Sequence, residues 1–438
     1  MASPPTVPLT VDATQAGLSA NTPVSMYVVG LVSAATDTYY RLDSTGTPQV
    51  MSEADSTNAA GTFPGSGALP AGAATALAAN YPLAWADYGI PVSLTETTVI
   101  DLSSINTTNC PGLGTGTAAF SGRVYVAIGA APLPFTPQDN GYTAPVPSGG
   151  PGALSLFDWI EFSYDSEGNF NGNTTQVDQF GFELHLDGTP GGTLQGVLNQ
   201  SRSDIMDAFG NALASPFGQG VLQVAVPAGA GAAYPSGTNV LRVISPKTIT
   251  APAAYTGPLD TYFDDVIAQW YTTWQTTPIV TNDQATGYYS GMVVDGVLTF
   301  KQGNYATADA WNAAPASVET FAVAPGGVIP TADVWQCANS LATGNTEQKN
   351  VQKMLAAAFN RGVMGNLLDD TTCGGSASSF YPSGGTFNVW SQMFHGFSQN
   401  GLAYGFPYDD VCNQNPSISL AGTQSVTITL GPFGTAAT

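Results

Sequence analysis

Charge is scarce in this 438-residue chain: Asp, Glu, Lys and Arg make up only 9 % of it, with 9 Lys plus Arg against 31 Asp plus Glu and a formal net charge of -22. Without basic residues to spare, the chain lacks the phosphate attraction on which nucleic-acid and anionic-membrane binders depend, so neither is an expected partner. Cysteine is also rare. Cys110, Cys337, Cys373 and Cys412 show no CxxC spacing and only two His accompany them, which argues against a zinc site or a thioredoxin-like motif. No metal and no cofactor is expected. Two disulfides are the preferred reading, Cys337 with Cys373 and Cys110 with Cys412, with buried free thiols as the alternative. No apolar run is long enough for a membrane-spanning helix. The start, Met1-Ala-Ser-Pro-Pro, has no basic region leading into an apolar stretch. The expectation is of an extracellular, secreted protein whose signal has been removed, working as a monomer.

What is plentiful is Gly (50), Pro (31) and apolar residues (43 %), a balance that favours many short strands and turns over long amphipathic helices. From Pro8 to about Leu186 the pattern predicts strands over 24–32, 38–42, 97–102, 122–128, 158–164 and 176–186, each rich in β-branched or aromatic residues and bordered by turn formers. Segments 61–79 and 130–152 read as long surface loops. Helical spacing appears later, over 203–214, 260–274 and 346–361, the last capped by Thr346 and ended by Gly362. Strands return at 290–300 and 425–430. An all-β first part is thus followed by a mixed α/β part.

The segment richest in chemistry is Phe157-Asp-Trp-Ile-Glu-Phe-Ser-Tyr-Asp, a turn region, and Asn173-Thr-Thr-Gln-Val-Asp-Gln-Phe-Gly. A turn centred near Asn169 and Phe170 places Glu161 opposite Asp178 across an antiparallel pair. Alternation then gathers Trp159, Glu161 and Ser163 on one face with Thr174, Gln176, Asp178 and Phe180. Two neighbouring carboxyl groups are what glycosidic cleavage needs: one protonates the leaving oxygen, the other activates water or attacks the anomeric carbon. Acidic residues on strands are more often merely solvated, so the pair alone does not decide the matter.

The same residues carry a resemblance that spans nearly the whole chain. Glu161-Phe-Ser-Tyr-Asp followed by Asn173-Thr-Thr-Gln-Val-Asp-Gln-Phe-Gly resembles the active-site hairpin of glycoside hydrolase family 64, the laminaripentaose-producing β-1,3-glucanases. Ser121-Gly-Arg-Val-Tyr-Val, Ser201-Arg-Ser, Thr331-Ala-Asp-Val-Trp-Gln-Cys, Ala356-Ala-Ala-Phe-Asn-Arg and Ala403-Tyr-Gly-Phe-Pro-Tyr-Asp-Asp-Val match in the same order. The resemblance implies a mainly β architecture: a thaumatin-like β-barrel (residues 1–200) and a mixed α/β domain (201–438), the last strands, from about 403, returning to the barrel. A crescent with a wide groove is implied too. So is an endo-acting, inverting hydrolase that releases short laminari-oligosaccharides from laminarin, curdlan or fungal cell-wall glucan, with Glu161 as general acid and Asp178 as general base. Ser163, Asp165, Phe170, Asn173, Thr174, Thr175 and Gln176 are candidate substrate-binding residues, and Asp409 and Asp410 resemble a further part of the acidic cleft. The family commonly has Asn where this chain has Asp165, and Trp near Phe170. A thaumatin-like glucan binder without turnover is the rival reading, and a structural surface protein a third.

Other features say less. Asn106, Asn173 and Asn199 begin N-glycosylation sequons. His185 and His395 stand apart from other catalytic residue types in sequence and read as structural. Trp311, Trp335 and Trp390 are candidates either for a groove or for core, and Trp270 and Trp274 read as core.

Overall fold

The computed structural model describes residues 7–138, 141–189, 194–214, 216–218, 220–251, 255–283, 287–365, 368–369, 379–422 and 424–433. Its strands, in chain order, are β1 (Pro8–Asp12), β2 (Val24–Val32), β3 (Thr38–Leu42), β4 (Pro48–Val50), β5 (Ile90–Pro91), β6 (Thr98–Asp101), β7 (Phe120–Ile128), β8 (Thr136–Gln138), β9 (Gly141–Thr143), β10 (Leu156–Tyr164) and β11 (Phe170–Thr174). They continue as β12 (Gln179–Phe180), β13 (Leu184–Thr189), β14 (Gln223–Ala225), β15 (Val240–Ile244), β16 (Ile279–Asp283), β17 (Gly287–Val294), β18 (Val297–Gln302), β19 (Thr320–Val323), β20 (Leu368–Asp369), β21 (Ser417–Leu420) and β22 (Ser425–Leu430). The chain is mainly β, as expected. The segment 24–32 is a strand over its whole length, its β-branched and aromatic side chains buried on both faces: Met26 and Val28 in one core cluster, Tyr27 and Val29 in another.

Two units emerge, one comprising Met1–Ile244, Phe397–Asn400 and Pro416–Thr438, the other Ser245–Gly396 and Gly401–Asn415. The division falls after Ile244, not near residue 200. The reason lies in Arg202, whose guanidinium donates to the carbonyls of Gly181, Val240 and Leu241, and in the pairing of β12 with β15, which tie the 201–244 stretch to the first unit. That unit holds a sheet ordered β21-β11-β10-β7-β2-β3-β4, with β5 on β2, and a four-stranded sheet ordered β13-β22-β1-β6. One core packs their apolar faces, including Leu9, Val28, Phe120, Phe162, Phe170 and Ile428.

In the second unit a sheet ordered β19-β18-β17-β16-β20 accompanies helices such as Asp264–Thr273 and Thr346–Arg361. The latter has the bounds its apolar stripe predicts, but Asn345, not Thr346, caps it, accepting from the Gln348 N–H. Near 203–214 the helix is shorter, Arg202–Asp207, and runs into a π-turn over Ala208–Ala212. The two expected loops contain a helix, Ala71–Ala78, and the β8–β9 hairpin. Trp311, Trp335 and Trp390 are buried, which assigns them to core.

Both expected disulfides are overturned. Cys110 and Cys337 are buried free thiols whose pKa burial pushes up, so neither pairing can form as drawn. Cys412 does take part in a disulfide, and Cys373 lies outside the described residues.

Candidate functional site

One face of the long sheet turns to the core; the other is half roofed and half open. The roofed half is a second cluster in which Trp159, Tyr125, Tyr27 and Phe135 pack together. The open half is a cleft of about 590 Å³ in the first unit, and Glu161 lies on its floor. Register carries two rows across the strands. One reads Tyr39, Leu31, Ser121, Ser163, Asn171, Ser419; in the other, Arg123, Glu161, Asn173 and Ser417 line the cleft, while Val29, opposite Arg123 on β2, is buried in the roofed cluster. Between the rows come positions that face the core, and at Gly30 and Gly172 a Cβ would stand 2.2 Å from the Phe120 ring and 2.7 Å from the Phe170 ring. The missing side chains let Phe120, Phe162 and Phe170 stack beneath the cleft, with centroids 5.8 and 5.5 Å apart.

Glu161 and its cross-strand neighbour Arg123 form an ion pair, Arg123 Nη2 to Glu161 Oε1 at 2.9 Å, and each keeps about a third of its side chain exposed (33 % and 35 %). Arg123 also donates to the Tyr125 hydroxyl at 3.3 Å and lies over the Trp159 ring at 4.9 Å. Burial acts to lower the Arg123 pKa, but Tyr125, Glu161 and Asp178 outweigh it and hold the guanidinium above its ordinary range. Asp178 is thus felt at the same guanidinium as Glu161. Its segment is held on both sides. The Gln179 amide donates to the Phe157 carbonyl at 2.6 Å, and the Asp158 carboxylate accepts from the Gly181 N–H at 2.7 Å. Burial pushes Asp158 up to about 7, against the pull of those N–H groups and of Arg242.

The expected face-to-face placement of Glu161 and Asp178 is corrected. Glu161 faces Asn173, and Asp178 lies beyond the end of β11. Turn chemistry explains the change. The Asp165 carboxylate accepts from the backbone N–H groups of Glu167 and Asn169 and from the Asn169 amide, closing the turn over 165–169 with Gly168 at φ 81. Asp165 therefore builds the turn, and it is not among the residues that line the cleft. Phe170 is fully buried against Phe162. Thr174 and Thr175 are buried and Gln176 nearly so, leaving Ser163 and Asn173 as the expected binding residues that line the cleft.

Asp409 and Asp410 belong to the second unit. Asp409 has no exposed surface and accepts from Arg361 at 2.8 Å, Ser391 at 2.9 Å and His395 at 3.0 Å, so it is the centre of an internal polar network. Asp410 is paired with Lys353 at 2.6 Å. His185 bonds Glu183 at 2.6 Å. Sequence reasoning missed Arg123, Tyr39, Tyr142, Asn171, Ser417 and Ser419, because each reaches the cleft through strand order that no local pattern encodes.

The chain matches the model of a family described as β-1,3-glucanase, glycoside hydrolase family 64, over residues 6–430. No protein in the curated set compared with it matches by sequence. Solved structures do. A β-1,3-glucanase domain of this family from Clostridium beijerinckii is 22 % identical, with TM-score 0.71, over 97 % of this chain and 98 % of that one. A laminaripentaose-producing β-1,3-glucanase in complex with laminaritetraose is 21 % identical, with TM-score 0.66, over 98 % and 100 %. One from Paenibacillus barengoltzii complexed with laminarihexaose is 18 % identical, with TM-score 0.56, over 97 % and 75 %. At these identities the structures speak for a shared fold.

Proposed function

Because this chain belongs to glycoside hydrolase family 64, the β-1,3-glucanases, we propose that it cleaves β-1,3-glucan internally with inversion, using Glu161 as general acid and Asp178 as general base. The observation that carries the reading is the arrangement at Arg123: Glu161 lies on the floor of an open cleft, and both carboxyl groups act on the one guanidinium. In the proposed step Glu161 gives its proton to the glycosidic oxygen as the C–O bond breaks, and the electron pair stays with the departing hydroxyl. Asp178 takes a proton from the water that attacks the anomeric carbon from the opposite face. A base beyond the strand end, instead of directly across the ladder, suits the wider carboxyl separation that inversion requires.

Asn173 and Ser163, beside Glu161, would hydrogen-bond glucose hydroxyls. An open cleft suits a polymer threaded along it, and a neutral one is not repelled by the net charge of -22. Laminarin, curdlan and fungal wall glucan are the proposed substrates, short laminari-oligosaccharides the products, and a secreted monomer the working form.

The test is release of reducing ends from laminarin. Glu161→Gln and Asp178→Asn should each lose at least roughly a hundredfold in kcat, and NMR should show the α-anomer as the first product. A variant that keeps the wild-type rate removes its residue from the mechanism, a first-formed β-anomer rules out inversion, and binding without release rules out turnover.

A further inference from the structure

The two rows on the cleft floor are not alike from end to end. At the β21 side they finish in Asn171, Asn173, Ser417 and Ser419, all hydroxyls and amides. At the β3 side the cleft is lined instead by Tyr39 and, from the β8–β9 hairpin, Tyr142. Their rings meet edge to face, centroids 5.7 Å apart at 77°. Below them Tyr142 rests 5.8 Å from the buried ring of Phe135. Tyr27, Tyr125 and Phe135 in the adjoining cluster are buried, whereas Tyr39 and Tyr142 are only partly so and present surface to the same space as Glu161.

Strand spacing gives the scale. Tyr39 on β3 is three strands from Ser163 on β10, roughly 14 Å at about 4.8 Å per strand, while Ser419 on β21 is two strands away on the other side, roughly 10 Å. A polysaccharide laid along the rows would pass from amides and hydroxyls, across the carboxyl group, to an aromatic corner. The C–H faces of a β-glucosyl ring are apolar and its rim is hydroxylated, which matches an exposed aromatic face with a polar tip.

We propose that Tyr39 and Tyr142 form an aromatic subsite for one pyranose ring of the glucan, away from the bond that breaks, and that it makes the protein favour long chains over short ones. The inference rests on the reading given under Proposed function. A ring held that far from Glu161 contributes equally to bound substrate and transition state, so it acts on KM and leaves the chemical step to the carboxyl groups.

The experiment is kcat/KM on purified laminari-oligosaccharides of increasing length for the wild type, Tyr39→Ala, Tyr142→Ala and Tyr39→Phe. Wild type should gain steeply at the length that first reaches the tyrosines. In the two Ala variants that gain should shrink roughly tenfold, mostly through KM, and Tyr39→Phe should keep it because the ring face makes the contact. If Tyr39→Ala unfolds, Tyr39→Leu fills the space without an aromatic face and serves the same comparison. Undiminished length dependence in the Ala or Leu variants overturns the subsite, as does a Phe variant that loses as much as Ala. A wild type that hydrolyses laminarin with no length dependence removes the subsite alone, whereas a wild type that releases no reducing ends removes the proposed function and the subsite with it.

Discussion

At the scale of single residues the most consequential side chain is Arg123. It grips the Glu161 carboxylate at 2.9 Å and is itself stacked on Trp159, so its position is set by packing as well as charge. Arg123→Ala is expected to cut kcat about ten- to a hundredfold through the loss of positioning, and Arg123→Lys, which keeps charge without the planar fork, should recover only part of it. Rates of reducing-end release from laminarin check both; an unchanged kcat in Arg123→Ala would show that the pair is structural only.

At the scale of elements, the stacked phenyl rings under the cleft depend on bare backbone above them. Gly172→Ala would drive a methyl group into Phe170, 2.7 Å away, and should cost about 1–3 kcal/mol in urea unfolding through overpacking. A substitution without loss would mean that the rings yield freely. The same hairpin shows what a linear reading can and cannot reach. β10 was legible because Trp159, Glu161 and Ser163 alternate with Ile160 and Phe162, which are buried. The pairing was not. A turn tied by Asp165 begins the return strand early, so Glu161 meets Asn173 instead of Asp178, five residues later. An odd shift reverses which side chains share a face, and Thr174 and Gln176 are accordingly buried while Asn171 and Asn173 line the cleft. Asp409 misled for a different reason: an adjacent acidic pair looks like ligand chemistry until Arg361 and His395, distant in sequence, prove to enclose one member.

At the scale of the whole molecule, the first unit is built from both ends of the chain. β22 lies between β13 and β1, bonded on each side, antiparallel to one and parallel to the other. Removing residues 425–438 takes out a central strand, exposing Leu9, Val11 and Leu186, and should abolish the cooperative melt of the first unit as followed by circular dichroism and limited proteolysis. A shortened chain that melts as sharply as the full one would contradict this. The order of synthesis carries a further consequence. β1 leaves the ribosome about four hundred residues before β22 exists, a delay of roughly 20 to 80 s at about 5 to 20 residues per second. Through that interval the sheet holding β1 cannot close, and its greasy edge stays open to any neighbour. Co-translational folding must stop short here, so chaperone supply during expression should govern the yield of soluble protein.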